Sequence, residues 1–229
     1  MTEQEWQVCT HPPTMLAFLD GKASERKLRL FACACCRRIW HLFTDEPSRR
    51  AVEVAERYAD GAAGEEELSK AAFGTQTIAS DTPERAAGEA ASASIWLNTF
   101  SASHYAAFAV ASKDFGVRIA AHAVRDRFPL LLGARDAERL AQCGVLRDLL
   151  GPLPFRPITI DTSWLTWHDG LLVSMARRMY DSRDFADMPV LADALEEAGC
   201  ANADILEHLR GPGSHVRGCW VVDALLARE

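Results

Sequence analysis

Apolar positions recur along this chain with the three-to-four-residue spacing of a helix, and almost nowhere with the alternation of a strand. Pro12 and Pro13 open a short apolar stretch over 15–19 that Gly21 closes. Ser24 is placed to cap a long helix over 25–43. On a helical projection Leu28, Phe31, Ala32, Cys35, Cys36, Ile39, Leu42 and Phe43 share one face, while Arg26, Lys27, Arg29, Arg37 and Arg38 take the other. Val52, Ala55, Tyr58 and Ala59 mark a further helix that ends at Gly61. The alanine-rich stretch 86–123 predicts two antiparallel helices, broken near 99–103, the second stopped by Pro129. A helix over 136–150 closes at Gly151-Pro152.

Beyond that point the texture changes. Residues 153–161 carry two prolines and β-branched side chains, and predict an extended connector. Short elements follow: a turn over 164–167, a helix over 169–181, a helix capped by Asp187 with Pro189 in its first turn, and a helix over 203–209 capped by Asn202. Ser214 is placed to cap a last helix running to 227. The expectation is an all-α, bundle-like protein with a central Ala-rich helical pair and a C-terminal unit of short helices. Its two parts, 1–152 and 153–229, would share one core. Trp164, Trp167 and Trp220 are expected as core anchors, and Arg217 as a tie to Asp193 or Glu196.

Charge narrows the classes of function. The net charge is −7, which opposes nonspecific binding to nucleic acid or to an anionic membrane. No apolar run approaches the length that spans a bilayer, and no secretory leader pattern opens the chain. With seven cysteines, an odd number, reduced thiols in the cytoplasm are the expected state. Between Lys22 and Arg50, however, eight Lys/Arg stand against three Asp/Glu. The basic face Arg26, Lys27, Arg29, Arg37 and Arg38 is therefore a candidate grip for phosphate or an acidic partner, against pairing with acidic neighbours.

Two clusters carry candidate chemistry. Cys200, His208, His215 and Cys219 have the residue types of a Cys₂His₂ zinc site, and His215 and Cys219, four apart, would share one face of the predicted last helix. Their spacing, C-x7-H-x6-H-x3-C, is not that of a zinc finger. Core packing of the two thiols is the competing expectation. In the second cluster, Cys33, Cys35 and Cys36 lie beside Arg37 and Arg38, whose charge would lower a thiol pKa. Cys33, nearest the basic face, is the candidate reactive thiol. Nucleophile-elbow, phosphate-loop and HExxH motifs are absent.

The stretches Arg26-Lys-Leu-Arg-Leu-Phe-Ala-Cys-Ala-Cys-Cys-Arg-Arg-Ile-Trp-His41, Leu191-Ala-Asp-Ala-Leu-Glu-Glu-Ala-Gly-Cys200 and His215-Val-Arg-Gly-Cys-Trp-Val-Val-Asp223 resemble a family of uncharacterised bacterial proteins. The likeness covers roughly residues 1–60 and 153–229. It implies no activity and carries over no catalytic residue. The expected function is a helical protein-interaction or scaffold module with another protein as partner. The alternatives are a small metalloprotein or enzyme built on the C-terminal Cys/His set, and a thiol redox protein using Cys33.

Overall fold

The computed structural model describes residues 1–38, 40–43, 46–74 and 128–228. Every regular element among them is helical. The expected Ala-rich pair over 86–123 lies outside the described residues. Two compact units divide the chain, one of Met1–Gln7 with Gly144–Glu229 and the other of Val8–Cys143.

In the second unit, α2 (Pro12–Phe18) begins at the two prolines, as their missing N–H groups favour. It precedes α3 (Glu25–Arg38), α4 (Glu46–Ala59) and α5 (Glu65–Gly74). Ser24 caps α3, its hydroxyl accepting from the Lys27 amide at 3.2 Å. The helix stops at Arg38, short of the expected 43, and a 3₁₀ turn spans Trp40–Leu42. α3 packs on α4, and α4 on α5.

The two-sided reading of α3 is corrected in part: every residue from Lys27 to Cys36 is buried, Lys27 and Arg29 included, while Arg26 and Arg37 are half-buried and Arg38 is exposed. The arginines that flank this buried stretch meet acidic partners. Arg26 pairs with Asp60 at 3.1 Å, and Arg37 forks onto Glu56 at 2.9 and 3.0 Å. Arg38 forks onto Glu138 at 3.0 Å through both nitrogens. The Arg29 guanidinium lies over the Tyr58 ring at 4.9 Å.

In the first unit, α1 (Glu3–Val8) buries Trp6, whose carbonyl accepts two hydrogen bonds from Arg147 at 2.9 and 3.1 Å. Arg147 belongs to α6 (Phe128–Leu150), which starts earlier than position 136; Pro129, expected as a stop, sits in its first turn, where a proline is favoured. Gly151, at φ +51°, ends α6 as expected, its amide donating to the Arg147 carbonyl at 2.7 Å.

After Gly151 the chain turns and then extends through 157–161, where Ile158 and Ile160 pack on the core. α7 (Thr162–Thr166) is capped by Asp161, which accepts from the Ser163 amide at 2.8 Å. A left-handed stretch, His168, Asp169 and Gly170, leads into α8 (Leu171–Ser182). α9 (Met188–Glu197) follows Asp187, whose carboxylate pairs with Arg178 and makes no capping bond. α10 (Ala203–Arg210) is capped by Asn202, accepting from the Asp204 and Ile205 amides. The core of this unit gathers Trp164, Leu172, Met179, Leu191, Leu195, Leu209, Trp220 and Val222, with Trp167 packed against it.

The largest local correction is the last helix. It does not start at Ser214; α11 spans Trp220–Leu225. Gly211, Pro212, Gly213 and Gly218 divide the preceding segment into turns, and Gly218 at φ +95° serves a tight turn closed by the Cys219 amide on the Val216 carbonyl at 2.9 Å. Arg217 is corrected too. It lies over the Tyr180 ring at 4.6 Å, while Arg210 takes both Asp193 and Glu196.

Candidate metal centre

Three segments of the first unit converge at one point. The last turn of α6 presents Asp148, the last turn of α10 presents His208, and the turn segment before α11 presents His215 and Cys219. One ligand atom from each residue lies within 4.8 Å of all the others, and the group could hold a metal ion. His215 Nδ1 is 2.7 Å and His208 Nε2 3.1 Å from the same carboxylate oxygen, Asp148 Oδ1. His208 Nε2 is 3.2 Å and His215 Nδ1 4.0 Å from Cys219 Sγ. The second carboxylate oxygen, Oδ2, accepts the Val216 amide at 2.8 Å. That bond holds Asp148 with a single oxygen facing the others.

A tetrahedral ion sets a scale for these distances. Zinc bonds of ~2.0–2.3 Å to oxygen, nitrogen and sulfur imply O···N edges of about 3.3 Å and S···N edges of about 3.6 Å. Both O···N distances, 2.7 and 3.1 Å, are shorter than that edge and have hydrogen-bond length, while the S···N distances, 3.2 and 4.0 Å, lie on either side of theirs. Burial of the side chains is nearly complete, at 4% exposed for Asp148, 7% for His215 and 19% for His208, and Cys219 is fully enclosed. Burial by itself pushes the Asp148 carboxyl up, but hydrogen bonds to His208 and His215, with their charge, outweigh it and hold the carboxyl below its ordinary range.

The sequence-predicted set is thus brought together in part. His208, His215 and Cys219 meet; Cys200 is not in the group. It sits in the apolar core, its amide on the Leu195 carbonyl at 2.9 Å, and burial pushes its thiol up. Asp148 completes the four, and sequence reading missed it because it stands 67 residues before His215. The available signal was a lone carboxylate among Val145, Leu146, Leu149 and Leu150. The idea that His215 and Cys219 meet as helical neighbours is also corrected. A glycine-bearing turn brings them together.

Cys33 does not have the environment of a reactive thiol. It is buried on α3, its thiol 3.9 Å from the Val52 carbonyl, and burial pushes its pKa well above the ordinary thiol value, with nearby Arg29 and Arg37 too weak to reverse this. Cys35 and Cys36 are raised for the same reason. Of the basic face, Arg26, Arg37 and Arg38 are engaged with carboxylates, and Lys27 and Arg29 are buried. No described helix is long and apolar enough to cross a membrane. No family model, no curated protein and no solved structure matches the chain.

Proposed function

We propose that this is a zinc-binding protein in which one ion, held by Asp148, His208, His215 and Cys219, fastens the C-terminal turn segment to the ends of α6 and α10. The convergence of four ligand atoms from three chain segments carries this reading. A thiolate with two imidazoles and one carboxylate suits zinc. Asp148, His208 and His215 alone would make the two-histidine, one-carboxylate set of a non-haem iron site, but that site keeps open positions. Here Cys219 stands at the remaining corner, and a closed four-ligand shell is structural.

The 3.2 Å approach of Cys219 to His208 also has the length of a nucleophile–base pair. Two facts weigh against that use. Cys219 is fully buried, and His208 turns the same nitrogen to Asp148 that it turns to the thiol. A triad orients its histidine through the opposite nitrogen. Atoms aimed at one centre describe a coordination site better than a proton relay. A zinc-pinned helical unit would also present a rigid surface, which is what a scaffold or interaction module needs.

Elemental analysis of the purified protein tests the proposal. About one zinc per chain is expected, lost in His208→Ala and His215→Ala. Cobalt loading is expected to give the visible bands of a tetrahedral, thiolate-bound ion. A protein that takes up neither metal, and whose melting is unchanged by zinc or chelator, would refute it.

A further inference from the structure

We infer that Trp220 is the positioning residue of this centre and Gly151 its seat, an inference that rests on the zinc reading above. Metal-bound histidines are ordinarily oriented by a hydrogen bond on the nitrogen that does not face the ion. His208 has no such bond among the described residues: its hydrogen-bonding contacts, to Cys219 and Asp148, both run through Nε2. Its ring is held by other rings instead. Trp220 lies 5.2 Å away, tilted at 48°, and His215 stands edge-on at 5.0 Å and 80°.

Trp220 is well placed to transmit order to the whole shell. It follows Cys219 directly and starts α11. It also rests on the turn that ends α6, three residues after Asp148. A Cβ built on Gly151 would come within 2.5 Å of the indole Nε1 and 2.6 Å of Cδ1, so the ring lies directly against the glycine backbone. The indole Nε1 is buried and makes no hydrogen bond among the described residues. What Trp220 contributes is therefore its flat face and not its donor. The ring touches or adjoins the elements that carry Asp148, His208 and Cys219.

Zinc affinity measured by competition with a chelating dye, with the cobalt spectrum as second readout, tests this. Trp220→Leu removes the flat face while filling much of the volume, and is expected to weaken zinc binding at least tenfold and to shift the cobalt bands. Trp220→Phe keeps an aromatic face without the N–H, and is expected within threefold of wild type with the bands in place. Gly151→Ala, which pushes the ring aside, is expected to follow Trp220→Leu. Trp164→Ala, in the same core but remote from the ligands in sequence, controls for general destabilisation: its melting temperature falls and its zinc affinity stays within threefold. Wild-type binding with unchanged affinity in Trp220→Leu would overturn the positioning role alone, as would a Trp220→Phe variant as weak as Trp220→Leu. A wild-type chain that binds neither metal would remove the zinc reading itself.

Discussion

A carboxylate taken out of water persists as an anion only where donors replace its hydration. Asp148 has the Val216 amide on one oxygen and two imidazole nitrogens on the other. Asp148→Asn keeps the shape and loses the charge. Its zinc affinity is expected to fall by more than the roughly 10–100-fold typical of a lost outer-shell partner, read by chelator competition. Cys200→Ala makes the contrast. It is expected to cost about 1 kcal/mol in urea unfolding, as a small core truncation does, and to leave one zinc per chain. Thiol labelling separates the cysteines further. Cys9 is half-buried and the other six are buried, so one thiol is expected to react promptly at neutral pH and the rest only on unfolding. Fast modification of Cys33 would contradict its buried place on α3.

Helices here depend on what neutralises their charges as much as on their apolar stripes. The basic side of α3 is neutralised because Asp60, Glu56 and Glu138 reach Arg26, Arg37 and Arg38. Glu138→Gln leaves Arg38 with a weaker partner and is expected to cost roughly 1–2 kcal/mol, the scale of a charge-assisted hydrogen bond, measured by urea unfolding. A different pairing sets an acid limb in the other unit. Arg156 bridges Glu3 of α1 and Asp204 of α10, and its hydrogen bonds hold the Asp204 carboxyl below its ordinary value. A depressed folded pKa stabilises above the unfolded value of about 3.9, and the gain is lost as pH falls through the folded value. Arg156→Gln is therefore expected to melt lower near neutrality and to lose less on acidification below pH 4. Thermal melts from pH 6 to 2 check this; an unchanged acid limb would contradict it.

At the scale of the whole molecule, the first unit gathers the two ends of the chain: Met1–Gln7 joins Gly144–Glu229. α1 is tied to this unit by Trp6 against Phe155, ring centroids 6.1 Å apart, and by Arg147 on the Trp6 carbonyl. The proposed zinc lies in the same unit, fastening a segment with little regular structure of its own. Free zinc at a hundred times its Kd would add about 2.7 kcal/mol to the stability of the form that binds it. A chelator is accordingly expected to lower the calorimetric transition of this unit. A transition indifferent to chelator would argue that packing alone holds residues 211–219.

Much of the architecture was legible from local chemistry. Helix spacing, the caps Ser24 and Asn202, the stop at Gly151 and the core place of Trp164 and Trp220 all follow from the rhythm and the nature of neighbouring residues. So did the candidacy of His208, His215 and Cys219, since their types alone suit a metal. What local pattern does not carry is partnership across long stretches of chain. That Arg26, Arg37 and Arg38 would each meet a carboxylate, that Arg217 would lie on Tyr180, and that Asp148 and not Cys200 would meet the histidines were decided by the tertiary fold. Electrostatic pairing and coordination depend on distance in space, and distances across 67 residues of chain are set only when the helices between them pack.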